Sequence, residues 1–192
     1  MRMKRNLAIL GLVIIAVAAV LWWNQSGGEA DRNDSAAATS GAGGEALKVE
    51  PVEGSLAPSF SLATIDEQTQ YDVGGPRDKA LIINFWASWC GPCDLEAPDL
   101  QAIYDKYKDK LDLYAVNATK YDTVRGAKDF VKEKQITFPV IMDTDNKAGD
   151  LYKVYSYPIS FIIDKNGVVR ERIEGIQPLE KWEDMIREVV DA

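Results

Sequence analysis

The sequence predicts an α/β domain with a mixed sheet, and three observations carry that expectation. Ala80–Trp86 (Ala-Leu-Ile-Ile-Asn-Phe-Trp) is almost continuously apolar, as a central strand covered on both faces must be. From there strand-like and helix-like patterns alternate, the signature of crossover connections. The chain then closes with two strand-like segments joined by Lys165-Asn166-Gly167, the strongest hairpin turn present, followed by a helical pattern.

Taken in order, residues 59–63 and 70–73 flank the polar turn Asp66-Glu67-Gln68 and predict a leading hairpin. After the central strand, residues 93–107 read as a helix with Leu95, Leu100, Ile103, Tyr104 and Tyr107 on one apolar stripe and Pro98 as a kink. Residues 111–117 form a second strand, 124–134 a helix, 138–142 a short strand starting at Pro139, and 148–155 a turn or two of helix. Residues 159–164 and 168–173 are the strands of the last hairpin. Residues 178–190 are a helix whose Leu179, Trp182, Met185, Ile186 and Val189 follow helical spacing. There is no internal repeat.

The folded part is expected over residues 46–192, about 145 residues, a common size for one domain. Ahead of it, residues 7–23 are an uncharged run at the short end of what spans a bilayer as a helix. Arg2, Lys4 and Arg5 precede the run, so residues 1–6 are expected in the cytoplasm and everything after Trp23 outside, as a single-pass signal-anchor. A cleaved signal peptide is the competing reading. It calls for a shorter apolar core and a small-residue cleavage site, where this chain has Trp22-Trp23. With no cysteine nearby to acylate, a lipoprotein is excluded. Residues 24–45 are rich in Ser, Gly, Ala, Asp and Asn and read as a flexible tether. The N-x-S/T triplets at Asn24, Asn33 and Asn117 read as chance matches.

Composition removes several functions. The formal net charge is −8, and with Arg2, Lys4 and Arg5 set apart the remainder carries −11. Such a body is unsuited to nucleic acid, whose affinity depends on Lys and Arg neutralising phosphates. The absence of histidine removes His-ligated metal sites and Cys-His or Ser-His hydrolases. No cofactor and no metal are expected.

The two cysteines, Cys90 and Cys93, lie in Trp89-Cys90-Gly91-Pro92-Cys93, between the predicted central strand and its helix. Two residues apart, they close too small a loop to stabilise the fold by chain entropy. Half of a zinc site is excluded because no third cysteine and no histidine exist to complete it. At a helix N-terminus, free N–H groups and the macrodipole favour a thiolate, which makes Cys90 the expected nucleophile. Cys93, one turn on, is placed to attack a mixed disulfide at Cys90. Pro92 suits the first helical turn, and Gly91 lets a partner chain approach the sulfur.

The stretch Asn84-Phe85-Trp86-Ala87-Ser88-Trp89-Cys90-Gly91-Pro92-Cys93-Asp94-Leu95-Glu96-Ala97-Pro98 resembles the motif of the TlpA/ResA-like membrane-anchored thiol-disulfide oxidoreductases of the thioredoxin superfamily. The likeness continues in Tyr157-Pro158-Ile159-Ser160-Phe161-Ile162-Ile163-Asp164-Lys165-Asn166-Gly167 and covers the chain from about Leu56 onward. It implies a thioredoxin-like fold: a central mixed β-sheet flanked by helices, with an N-terminal β-hairpin extension and a βα insertion. It implies that Pro158 is a cis-proline against the cysteines and that the residue before it, Tyr157, helps hold the substrate strand. With Trp89, Gly91 and Pro92 these form the expected substrate-binding surface.

The family motif also carries a glutamate at Glu96, which implies that a partly buried carboxylate exchanges the proton of Cys93. The alternative reading of Glu96 is a solvated residue favouring the helix dipole. An aspartate occupies the place of Asn84 in cytoplasmic thioredoxins. Asn84 cannot titrate, so Glu96 becomes the stronger candidate for the proton. Two positions depart from the pattern: Ile159 stands where many relatives have threonine, and Tyr157 is bulky for its place.

The expected function is therefore disulfide reduction on the extracytoplasmic side of the cell membrane. The expected substrates are disulfide-containing proteins, apocytochrome c among them by the resemblance, with an integral-membrane thiol donor restoring the dithiol. A monomer is expected. Gly91-Pro92 is the dipeptide of thioredoxin, a reductant near about −270 mV, and favours reduction. The rivals are a disulfide oxidase or isomerase, a peroxidase suggested by the opening Ala57-Pro58-Ser59-Phe60, and a noncatalytic binding module on the same fold.

Overall fold

The computed structural model describes residues 46–191. The expected cytoplasmic N-terminus, membrane anchor and tether lie outside the described residues. Within them the elements run β1 (Phe60–Ala63), β2 (Gln70–Val73), β3 (Ala80–Trp86), α1 (Gly91–Tyr107), β4 (Leu111–Asn117) and α2 (Val124–Glu133). They continue with β5 (Val140–Met142), α3 (Lys147–Leu151), β6 (Ile159–Ile163), β7 (Val169–Glu174) and α4 (Leu179–Val190).

β1 and β2 form the leading antiparallel hairpin. The other five strands make one mixed sheet in the order β5-β4-β3-β6-β7, with β3, β4 and β5 parallel and β6 and β7 antiparallel to their inner neighbours. This is the thioredoxin-like fold. The pair β5 and α3, lying between α2 and β6, supplies the βα insertion.

β3 is buried along its whole length because it lies at the centre of this sheet with layers on both faces. Its alternating side chains feed two cores. Ile82 and Trp86, with Leu113 and Ala115 of β4, pack against Leu100 and Ile103 of α1, Phe130 of α2 and Trp182 and Ile186 of α4. Leu81, Ile83 and Phe85 face the other way, against Phe60 and Val73 of the leading hairpin, Phe161, and Tyr152 just beyond α3. A fully buried aliphatic or aromatic side chain of this kind contributes about 1.5–3 kcal/mol, so the paired cores explain why a strand read as almost continuously apolar is stable here.

Three expectations need correction. Leu95 does not share the buried stripe of α1 and is 68% exposed. At 100° per residue it falls opposite the face made by Cys93, Glu96, Ala97, Leu100 and Ile103, and Glu96 takes the inward place instead. The helix expected to run to residue 155 ends at Leu151, because Lys153 adopts a left-handed φ of 52° and the chain closes on itself through Val154 N–H to Gly149 O. The short fifth strand begins at Val140, after Pro139, whose carbonyl still accepts from Ala115 N–H.

The last hairpin turn is fixed by Asp164, whose Oδ1 accepts the N–H of Asn166 and of Val168, each at 2.9 Å. Gly167 has φ +80°, and a Cβ there would lie 2.7 Å from the backbone oxygen of Gly75, so both conformation and space demand glycine.

Candidate active site

The site forms where β3 ends and α1 begins. Cys90 is the N-cap residue of α1, with extended backbone, and its Sγ accepts the N–H of Cys93 at 3.2 Å. Pro92 stands in the first helical turn, where its missing N–H costs nothing. Cys90 and Cys93 are joined in a disulfide with Cα atoms 5.3 Å apart, and both are buried. The helix N-terminus directs its free N–H groups and positive dipole end at the Cys90 sulfur, the arrangement that favours its thiolate once the bond opens.

Glu96 lies one turn after Cys93 on the same inward face and is only 2% exposed, which rules out the solvated alternative. Burial drives its carboxyl up from 4.5 to about 7. Asn84 opposes this: its Nδ2 donates to Glu96 Oε2 at 3.1 Å and to Ser160 Oγ at 2.9 Å. Asn84 and Ser160 face each other across the β3–β6 pair, so the sheet register aims the amide at the carboxyl. The Trp182 indole of α4 also favours the charged form, although among the described residues neither Glu96 Oε1 nor Trp182 Nε1 has a hydrogen-bond partner. A carboxyl poised near 7 on the buried side of a dithiol can take or give a proton at neutral pH. A cavity of about 10 Å3, roughly the space of one water, opens beside Cys93, Asn84, Ala97 and Phe130.

The remaining predicted residues form the rim. Trp89 is 61% exposed, its Nε1 donating to Tyr121 O at 2.9 Å and its ring meeting Tyr157 edge-on at 5.8 Å. Gly91 and Pro92 are exposed, and a Cβ on Gly91 would meet nothing within 4 Å, so the approach to the sulfurs is open there. The Tyr157–Pro158 peptide bond is cis. Because β6 runs antiparallel to β3, its start lies beside the end of β3, and this brings Tyr157 and Pro158 to the cysteine end of the sheet.

Sequence reasoning missed a polar cluster beneath this rim. Asp122 accepts hydrogen bonds from Ser88 N–H and Ser88 Oγ–H, both at 2.6 Å, from Asn117 Nδ2 at 2.8 Å and from Thr123 N–H at 2.7 Å. No periodic pattern marks these residues, which come from the β3–α1 connection, the last residue of β4 and the loop that follows it. Asn117 is fully buried with its amide engaged here, so its N-x-T triplet is no modification site.

A disulfide between vicinal-turn cysteines at a helix N-terminus, on a thioredoxin-like sheet with a cis-proline alongside, defines a thiol-disulfide oxidoreductase. Comparison with known proteins agrees. The chain belongs to the AhpC/TSA family, whose model matches residues 54–172. It is 34% identical over 144 residues to the thiol-disulfide oxidoreductase ResA of Bacillus thuringiensis subsp. konkukian, covering 74% of this chain and 82% of that protein. The thioredoxin-like protein YneN of Bacillus subtilis is 33% identical over 135 residues, covering 70% and 78%. Among solved structures, a thiol:disulfide interchange protein DsbE from Chlorobium tepidum superposes with a TM-score of 0.65 at 29% identity, covering 72% of this chain and 98% of that one. StoA from Bacillus subtilis gives 0.58 at 27% identity, covering 67% and 96%.

Proposed function

We propose that this chain is a membrane-anchored reductase of protein disulfides, working as a monomer outside the cytoplasmic membrane. The observation that carries the chemistry is the Cys90–Cys93 disulfide at the N-terminus of α1 with the buried Glu96 carboxyl one turn behind it. In the reduced protein the Cys90 thiolate attacks one sulfur of a substrate disulfide, which breaks and releases the first substrate thiolate. Cys93 gives its proton to Glu96 and attacks Cys90 Sγ. The second substrate sulfur leaves and is protonated, the substrate has gained two electrons, and the protein holds the Cys90–Cys93 disulfide. A thiol donor in the membrane returns those two electrons. Trp89, Gly91, Pro92, Tyr157 and Pro158 contact the substrate strand.

The extracytoplasmic placement is supported by the uncharged run 7–23 behind Arg2, Lys4 and Arg5. Outside the cytosol protein thiols tend to oxidise, and tethering the domain beside a membrane donor raises the effective concentration of that donor. The family resemblance extends the proposal to apocytochrome c, whose haem attachment needs free thiols.

The deciding experiment equilibrates the full-length chain with dithiothreitol buffers and follows its tryptophan fluorescence, to which Trp86 and Trp89 beside the cysteines contribute. The expected potential lies near the thioredoxin value of about −270 mV. A value near about −120 mV, that of a strong oxidant, would make disulfide formation the function instead.

A further inference from the structure

Opening the disulfide frees the Cys90 side chain from Cys93, so noncovalent bonds must hold the sulfur in place at the end of α1 in the reduced enzyme. Cys90 itself is anchored by its N–H to Ala87 O at 3.1 Å and by Asp94 N–H to its own carbonyl at 3.1 Å. The two residues before it are zipped to the loop between β4 and α2: Ser88 by two bonds to Asp122, and Trp89 by its indole N–H to Tyr121 O. Asp122 is fixed in turn from behind, by the buried Asn117 at the end of β4 and by Thr123, whose Oγ accepts Gly126 N–H as the N-cap of α2. Each carboxylate oxygen accepts two bonds, Oδ1 from Ser88 Oγ–H and Thr123 N–H, Oδ2 from Ser88 N–H and Asn117 Nδ2. Bonds to an ionised carboxylate are the strong kind. Burial pushes this carboxyl up, but the bonds from Ser88 and Asn117 outweigh it and hold it below the ordinary aspartate range. Gly126 completes the arrangement, because a Cβ there would lie 2.5 Å from Ser88 Oγ and 2.9 Å from Thr123 Oγ1.

We propose that Asp122, Ser88 and Gly126 form a positioning clamp that keeps the Cys90 sulfur on the N-terminus of α1 in the reduced enzyme. The clamp thereby sustains the thiolate that attacks the substrate. This rests on Cys90 being the attacking thiol. The charged groups about the site are Asp94, paired at 2.5 Å with Lys134 just beyond α2, the buried Glu96, Lys120 over the Tyr121 ring, and Asp122 itself. Ser88→Ala and Gly126→Ala leave all of these charges in place. Gly126→Ala also replaces a helical glycine by a better helix former, while its Cβ displaces Ser88 Oγ and crowds the Thr123 cap of α2.

The test measures iodoacetamide alkylation of the reduced full-length chain against pH, with the modified cysteine identified by mass spectrometry, for the wild type, Ser88→Ala, Gly126→Ala and Asp122→Asn. In Ser88→Ala and Gly126→Ala the midpoint for Cys90 is expected to rise by about half a pH unit or more, as helix alignment is lost. Profiles of these two variants that superpose on the wild type overturn the clamp, and a downward move in Asp122→Asn alone then marks a simple charge effect. Should Asp122→Asn not fold, the two neutral variants still decide. Labelling of Cys93 ahead of Cys90 overturns the underlying mechanism, and the clamp with it.

Discussion

Glu96 owes its chemistry to position. The same carboxylate one residue earlier, at the place of Leu95, would be solvated and acidic, whereas at position 96 burial raises it to about 7. Glu96→Gln is expected to lower the rate of thiol-disulfide exchange at pH 7 about 10²-fold and to remove the inflection near 7 from its pH profile, measured by stopped-flow fluorescence with an oxidised peptide. The amide still accepts from Asn84, so the fold is retained and the loss reports on the proton. An unchanged profile would remove Glu96 from the mechanism.

Among the elements, α1 and the β6–β7 turn show how local rules are enforced. α1 starts where Cys90 caps it and Pro92 fits its first turn. The turn between β6 and β7 depends on Gly167, because a side chain there would combine a left-handed φ with a 2.7 Å contact to the backbone of Gly75. Gly167→Ala is expected to destabilise the protein by about 2 kcal/mol or more, seen as a lower urea midpoint with an unchanged slope. The reduction potential should not move, since the turn lies at the other end of β6 from the cysteines.

For the whole molecule, the buried Glu96 makes stability depend on pH. Its carboxyl is raised in the folded state, so the native protein binds the proton more tightly than the unfolded chain. The resulting stabilisation is fully present below 4.5 and is lost as pH rises through about 7, an effect of about 3 kcal/mol. Urea unfolding of the oxidised protein should therefore show Glu96→Gln gaining about 3 kcal/mol on the wild type between pH 4.5 and pH 8. A constant difference across that range would refute the burial argument.

Redox state is linked to stability in the same way. A dithiol pair more reducing in the fold than in the unfolded chain means that the disulfide is stabilised by folding. The oxidised protein should then resist urea better than the reduced one, by about 1.4 kcal/mol for each 30 mV. The opposite order would mark an oxidant.

The strand–helix order, the two cysteines as the chemistry and the hairpin turn at Gly167 were all legible in the residue order alone. These are local properties: apolar period, turn chemistry, and the presence or absence of residue types. Glu96 was legible as a candidate because the motif the chain resembles carries a glutamate there, one turn after Cys93. Its burial was implied by that resemblance but left open by the residues, because Leu95 competes for the inward place and only the packing of α1 against the sheet and α4 fixes the helix phase. The alignment of Asn84 with Ser160 needs the antiparallel register of β3 and β6, set 76 residues apart in the chain. The Asp122 clamp joins Ser88 of the β3–α1 connection to Asn117 and Thr123 at the two ends of the β4–α2 connection. Only tertiary structure could decide it, since a hydrogen-bonded carboxylate leaves no periodic trace in the chain that folds around it.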